Sequence, residues 1–95
     1  MEIKVQSIKF DADQKLLEFI DKKVSKFPRF FDNIVSTDIT LSLLQDHAKC
    51  VKMNVGVPSG PIVVERTGNS FETAVNECCD IIKEQLTKKK EILQG

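Results

Sequence analysis

The sequence predicts a two-layer α+β domain of order β-α-β-β-β-α, a four-stranded mixed sheet with both helices on one face. Three observations carry this. Two stretches repeat apolar residues at helical spacing, and shorter stretches alternate apolar with polar residues at the period of a strand. Three strands keep one polar face, so that face meets water and the helices share the other. The chain has 95 residues, enough for one hydrophobic core but not two, so a single domain over residues 1–95 is expected.

Each element follows from its pattern. Residues 2–6 alternate, with Ile3 and Val5 opposite Glu2, Lys4 and Gln6, and form a strand. The parity then flips to Ile8 and Phe10, which signals a bulge or the strand's end. Asp11 or Asp13 can cap a helix running to about Phe27, with Leu16, Leu17, Ile20, Val24 and Phe27 as its buried stripe. Pro28 stops it, because its ring drives Phe27 out of the helical region. Residues 34–44 form a strand with Val35, Thr37, Ile39, Leu41 and Leu43 on the dry face. A turn at Gln45, Asp46 and His47 leads into a strand carrying Val51, Met53, Val55 and Val57. Pro58-Ser59-Gly60-Pro61 is a hairpin loop, and residues 62–66 are the last short strand. The final helix reaches about Leu93. Asn69 or Ser70 can cap it, Glu72 can complete a box from Asn69, and Phe71, Ala74, Val75, Cys78, Ile82, Leu86 and Leu93 form its stripe. The first strand, helix and second strand form a right-handed crossover with parallel strands. About 36 Å of final helix against about 23 Å of strand leaves an overhang that carries Lys88, Lys89 and Lys90.

Composition narrows the function. Fourteen Lys+Arg balance fourteen Asp+Glu, which excludes a polycation that coats nucleic acid indiscriminately, though not a basic face. No stretch approaches the roughly 20 apolar residues of a membrane span. The first ten residues hold no secretory segment, so a cytoplasmic protein is expected. Cys50, Cys78 and Cys79 are odd in number, two of them adjacent, and read as reduced, mostly buried thiols. Cys78 lies on the buried stripe and Cys79 one residue off it. His47 stands alone in a turn, no cysteine or histidine cluster has metal-ligand spacing, and no Gly-Lys-Ser/Thr follows the glycines. Neither a nucleophile–base pair nor a cofactor site is legible, so no enzyme is expected.

The cations are more informative. At 100° per residue, Lys22 and Lys26 fall within about 20° of Lys15, Arg29 would fall near 40°, and the apolar stripe lies roughly 160° away. Lys23 borders that face. The second helix adds Lys83, Lys88, Lys89 and Lys90. A solvated helix face, or cations complementing the helix dipole, give the same pattern. Because both helices pack on one sheet face, their outer sides form one continuous surface able to track a phosphate backbone. Phe19, near the basic line, and Phe30 or Phe31 after the helix pack in the core or turn, or stack on bases.

Two stretches, FIDKKVSKFPRFFDNI (Phe19 to Ile34) and SFETAVNECCDIIKEQLTKKKEIL (Ser70 to Leu93), carry a family resemblance. The first resembles the end of helix one in the ribosome hibernation-promoting factor and ribosome-associated inhibitor A family, also called sigma modulation proteins, with Lys23, Lys26, Phe31, Asp32 and Ile34 on pattern. The second resembles that family's last helix, through Gln85-Leu86-Thr87-Lys88 and Lys90. The resemblance implies a fold similar to a double-stranded-RNA-binding domain with an added first strand. It implies a short-form factor that binds the small ribosomal subunit near the decoding channel, blocks translation and preserves idle ribosomes in stress or stationary phase. Contacts to ribosomal RNA would come from Lys22, Lys23, Lys26, Arg29, Lys88, Lys89 and Lys90. A ribosome-dimerising protein is a further implied partner. Where the family often places cations, this chain has Ile81, Glu84 and Thr87. A protein-interaction module that uses a sheet edge or the wet sheet face, without RNA, is the competing reading.

Overall fold

Alternation and helical spacing resolve into six regular elements in the computed structural model, which describes residues 1–31, 33–58 and 60–94, with side chains as far as residue 88. They are β1 (Glu2–Ile8), α1 (Gln14–Val24), β2 (Ser36–Leu43), β3 (Lys49–Gly56), β4 (Ile62–Gly68) and α2 (Phe71–Gln94), with a short 3-10 turn at Phe27–Arg29 between α1 and β2. The sheet order is β1-β2-β3-β4. β1 runs parallel to β2, and the other pairs are antiparallel. The sheet is mixed, as the crossover through α1 requires.

Register aligns the apolar positions into rows. Val5, Ile39, Met53 and Val64 are successive partners across the sheet, and so are Ile3, Thr37, Val55 and Ile62. These rows face the helices. The opposite face carries Lys4, Asp38, Asn54 and Val63, then Gln6, Thr40, Lys52 and Glu65, and meets water. The core joins the inner rows to Leu16, Ile20 and Val24 of α1, Phe27 of the turn, and Phe71, Ala74, Val75, Cys78, Ile82 and Leu86 of α2. Both helices contact one another and lie on this single dry face.

Several boundaries differ from the sequence reading. β1 has no bulge: it stays paired through Ile8, opposite Ser42, and ends at Lys9, whose φ is 66°. Phe10 then lies beyond the strand, its ring stacked on Phe71 at 4.9 Å. α1 stops at Val24, three residues short of Phe27. The Ser25 hydroxyl donates to the Lys22 carbonyl at 3.2 Å, and the Lys26 N–H bonds Lys23 rather than Lys22, so the chain tightens before Pro28 enters the 3-10 turn. β2 is shorter than residues 34–44. Ile34 takes the buried place, leaving Val35 69% exposed, and Leu43 is also exposed at the other end. β4 runs on to Gly68, because its pairing with Lys49 and Cys50 of β3 continues past Arg66. Ser70, not Asn69, caps α2: its Oγ accepts from the Thr73 N–H at 3.1 Å, and its hydroxyl donates to Thr73 Oγ1. The hairpin after β3 contains Gly60 at φ +119°, a conformation that L side chains avoid. Ser59 of that loop, and Asp32 of the resemblance, lie outside the described residues.

Candidate nucleic-acid interface

The site is built by the way α1 is started and stopped. Asp13 caps α1, its Oδ1 accepting from the Leu16 N–H at 2.9 Å. The helix runs for eleven residues and ends at Val24, so Lys26 and Arg29 stand on the turn, not on the helix. α2 starts beside the start of α1: Asp11, Asp13 and Leu16 share a cavity with Ser70, Phe71 and Glu72. Further along, Lys23 and Lys26 share a groove with Asn76, Cys79, Asp80 and Lys83. The two helices therefore run side by side in the same direction, and α2 continues well past the end of α1.

That second groove gathers cations from two elements. Lys23, Lys26 and Lys83 line it against one carboxylate, Asp80, over a floor of Phe27 and Phe30, enclosing about 170 Å³. Aromatic rings hold two of the ammonium groups. Lys23 Nζ lies 5.7 Å from the Phe19 ring centroid and Lys83 Nζ lies 5.1 Å from that of Phe30. Neither ammonium group forms an ion pair with a described residue, so both stay available to an anion. Phe31 is buried in the core, whereas Phe30 stays half-buried at the groove.

The other predicted cations spread around this centre. Lys22 and Arg29 are exposed beside it. Lys15 is exposed two turns back, toward the acidic ends of the helices. Lys88 is exposed and pairs with Glu84 at 3.2 Å, one turn earlier on α2. The side chains of Lys89 and Lys90 lie outside the described residues, although their backbone continues α2.

Asn76, Asp80 and Cys79 were not singled out for this surface by their sequence. Asn76, Asp80 and Lys83 are spaced by four and three residues, so helical phase alone puts them on one face. Cys79, one position off the stripe, is nonetheless buried, because the 3-10 turn with Phe27 and Phe30 covers it. Burial pushes its thiol up to about 12 and that of Cys78 up to about 11, against an ordinary 9.0. Neither is a thiolate near neutrality. Among the described residues no group of three metal-ligating side chains assembles, and no helix is long and apolar enough to cross a membrane.

The chain resembles known proteins along nearly its whole length. A family model described as Sigma 54 modulation protein / S30EA ribosomal protein matches residues 3–94. The Ribosome hibernation promotion factor of Deinococcus radiodurans is 24% identical over 84 residues, covering 84% of this chain and 44% of that protein. The Ribosome hibernation promoting factor of Azotobacter vinelandii is 22% identical over 91 residues, covering 96% of this chain and 84% of that protein. The chain thus spans less than half of the first relative's length and most of the second's. Two solved structures share the fold, each with a TM-score of 0.83. The Thermus thermophilus Protein Y N-terminal domain is 20% identical, with 93% of this chain and 98% of that chain aligned. A ribosomal subunit interface protein from Coxiella burnetii is 22% identical, with 96% and 99% aligned.

Proposed function

The chain belongs to the Sigma 54 modulation protein / S30EA ribosomal protein family, and we propose that it is a cytoplasmic, ribosome-associated hibernation factor that works by occupancy, without catalysis. As one ribosome-binding domain over residues 1–95, it sits on the small subunit near the decoding channel and excludes the channel's normal ligands. No bond is made or broken. The observation that carries this reading is the meeting of Lys23, Lys26 and Lys83 in one groove, between elements far apart in sequence. Lys15, Lys22, Arg29 and Lys88, exposed around it, extend the reach along an RNA backbone, and Lys89 and Lys90 continue the run on α2. A preformed basic groove neutralises phosphates and releases their counterions, and a rigid sheet fixes its shape.

Co-sedimentation tests it. The purified chain is pelleted with whole ribosomes and with separated small and large subunits. With about six phosphate contacts, affinity for the small subunit should fall roughly a thousandfold between 50 and 200 mM salt. Binding to the large subunit alone, or binding indifferent to salt, contradicts the proposal.

A further inference from the structure

Asp80 is out of place in a groove built only for phosphate. It lines the groove with Lys23, Lys26 and Lys83, and makes no ion pair with any described residue. An exposed carboxylate beside an RNA backbone repels it and weakens binding. A carboxylate is also an acceptor only, with two oxygens that take two adjacent N–H donors at once. Unpaired RNA bases present their Watson–Crick edges to protein side chains. Guanine alone offers two neighbouring donors there, N1–H and the N2 amine. Adenine and cytosine set one amine beside an acceptor, and uracil sets its N3–H between two carbonyls.

We propose that this groove binds one unpaired guanine of RNA, with Asp80 accepting from its N1–H and N2–H and the Phe30 ring stacked on the base. Asn76 lies one helical turn before Asp80 on the same face of α2 and lines the same groove, so its amide can donate to guanine O6. The enclosed space, about 170 Å³, lies below the roughly 300–1,000 Å³ of a drug-sized pocket and suits a single base. Lys83 Nζ covers the Phe30 ring; on binding it leaves the ring for a flanking phosphate, joining Lys23 and Lys26. The basic groove supplies affinity, and Asp80 supplies the choice of base. This rests on the RNA-binding reading above.

The test exploits a sign. If charge alone mattered, Asp80→Asn would bind RNA as well or better, since it removes a negative group. If Asp80 holds guanine, the same variant binds worse, because an amide presents a donor where the base also has one. RNA hairpins closed by the same all-uridine loop, with a single bulged nucleotide in the stem (guanine, inosine, adenine, cytosine or uracil), are titrated by fluorescence anisotropy at one salt. The guanine hairpin should bind about tenfold or more tightly than the adenine, cytosine and uracil hairpins, with inosine, which lacks the N2 amine, in between. Asp80→Asn should erase that preference and lower ribosome affinity by a similar factor, with an unchanged melting temperature. Equal binding of all hairpins, or an Asp80→Asn protein that binds guanine or ribosomes undiminished, overturns the inference. If the wild-type protein bound neither hairpins nor ribosomes, the RNA-binding reading itself would fall.

Discussion

Lys23 and Lys22 are neighbours in sequence with different fates. A helical wheel puts Lys22 at the centre of the polar face and Lys23 at its border. The border position is the one that faces α2 and enters the groove. A wheel ranks residues by distance from the core, whereas a groove between two helices collects those at the edges of both polar faces. The same reason hid Asn76 and Asp80. Cys79 shows what a border position means for titration. Its thiol is held up to about 12 in the folded chain, while an unfolded thiol ionises near 9.0. The contribution to stability is therefore whole below pH 9 and is lost as pH rises toward 12, by about 1.4 kcal/mol per pH unit. Urea unfolding at pH 8 to 11 checks this: Cys79→Ser, which does not titrate, should lose stability with a slope shallower by about that amount. An identical slope would show that Cys79 ionises alike in both states.

At the level of elements, α2 depends on a cap that its sequence left between two candidates. Asn69 and Ser70 both have the right chemistry, but the pairing of Gly68 with Lys49 keeps the chain extended up to the cap, and the helix opens one residue later than a box from Asn69 requires. Ser70→Ala should cost about 1 kcal/mol, read as a lower urea midpoint with an unchanged slope, whereas Asn69→Ala should change little. The order and kind of all six elements were legible, because alternation and the 3.6-residue period were clean. The ends were not, because they depend on tertiary contacts. Ser25 closes α1 early, Ile34 displaces Val35 from the core, and β3 prolongs β4. The early end of α1 matters for the site, since it frees Lys26 from the helix and turns Phe30 toward α2.

Across the whole molecule, zero net charge conceals two poles. Where the helices begin, Asp11, Asp13 and Glu72 face one lysine, Lys49. Where α1 ends, three lysines face one aspartate. Side-by-side helices running in one direction produce this separation, since acids suit helix starts and cations suit helix ends. Composition could not reveal it, because it depends on which helix ends the fold brings together. The polarity also gives the chain a preferred approach to a polyanion, basic groove first. The proposed ribosome contact stands or falls with this groove. Co-sedimentation of a Lys23→Glu, Lys26→Glu, Lys83→Glu variant at 50 mM salt tests it most directly, with thermal unfolding measured in parallel. The variant should melt within a few degrees of the wild type, since Lys26 and Lys83 are exposed and Lys23 is only half-buried, and it should stay in the supernatant. A folded variant that still pelleted with ribosomes would contradict the proposal.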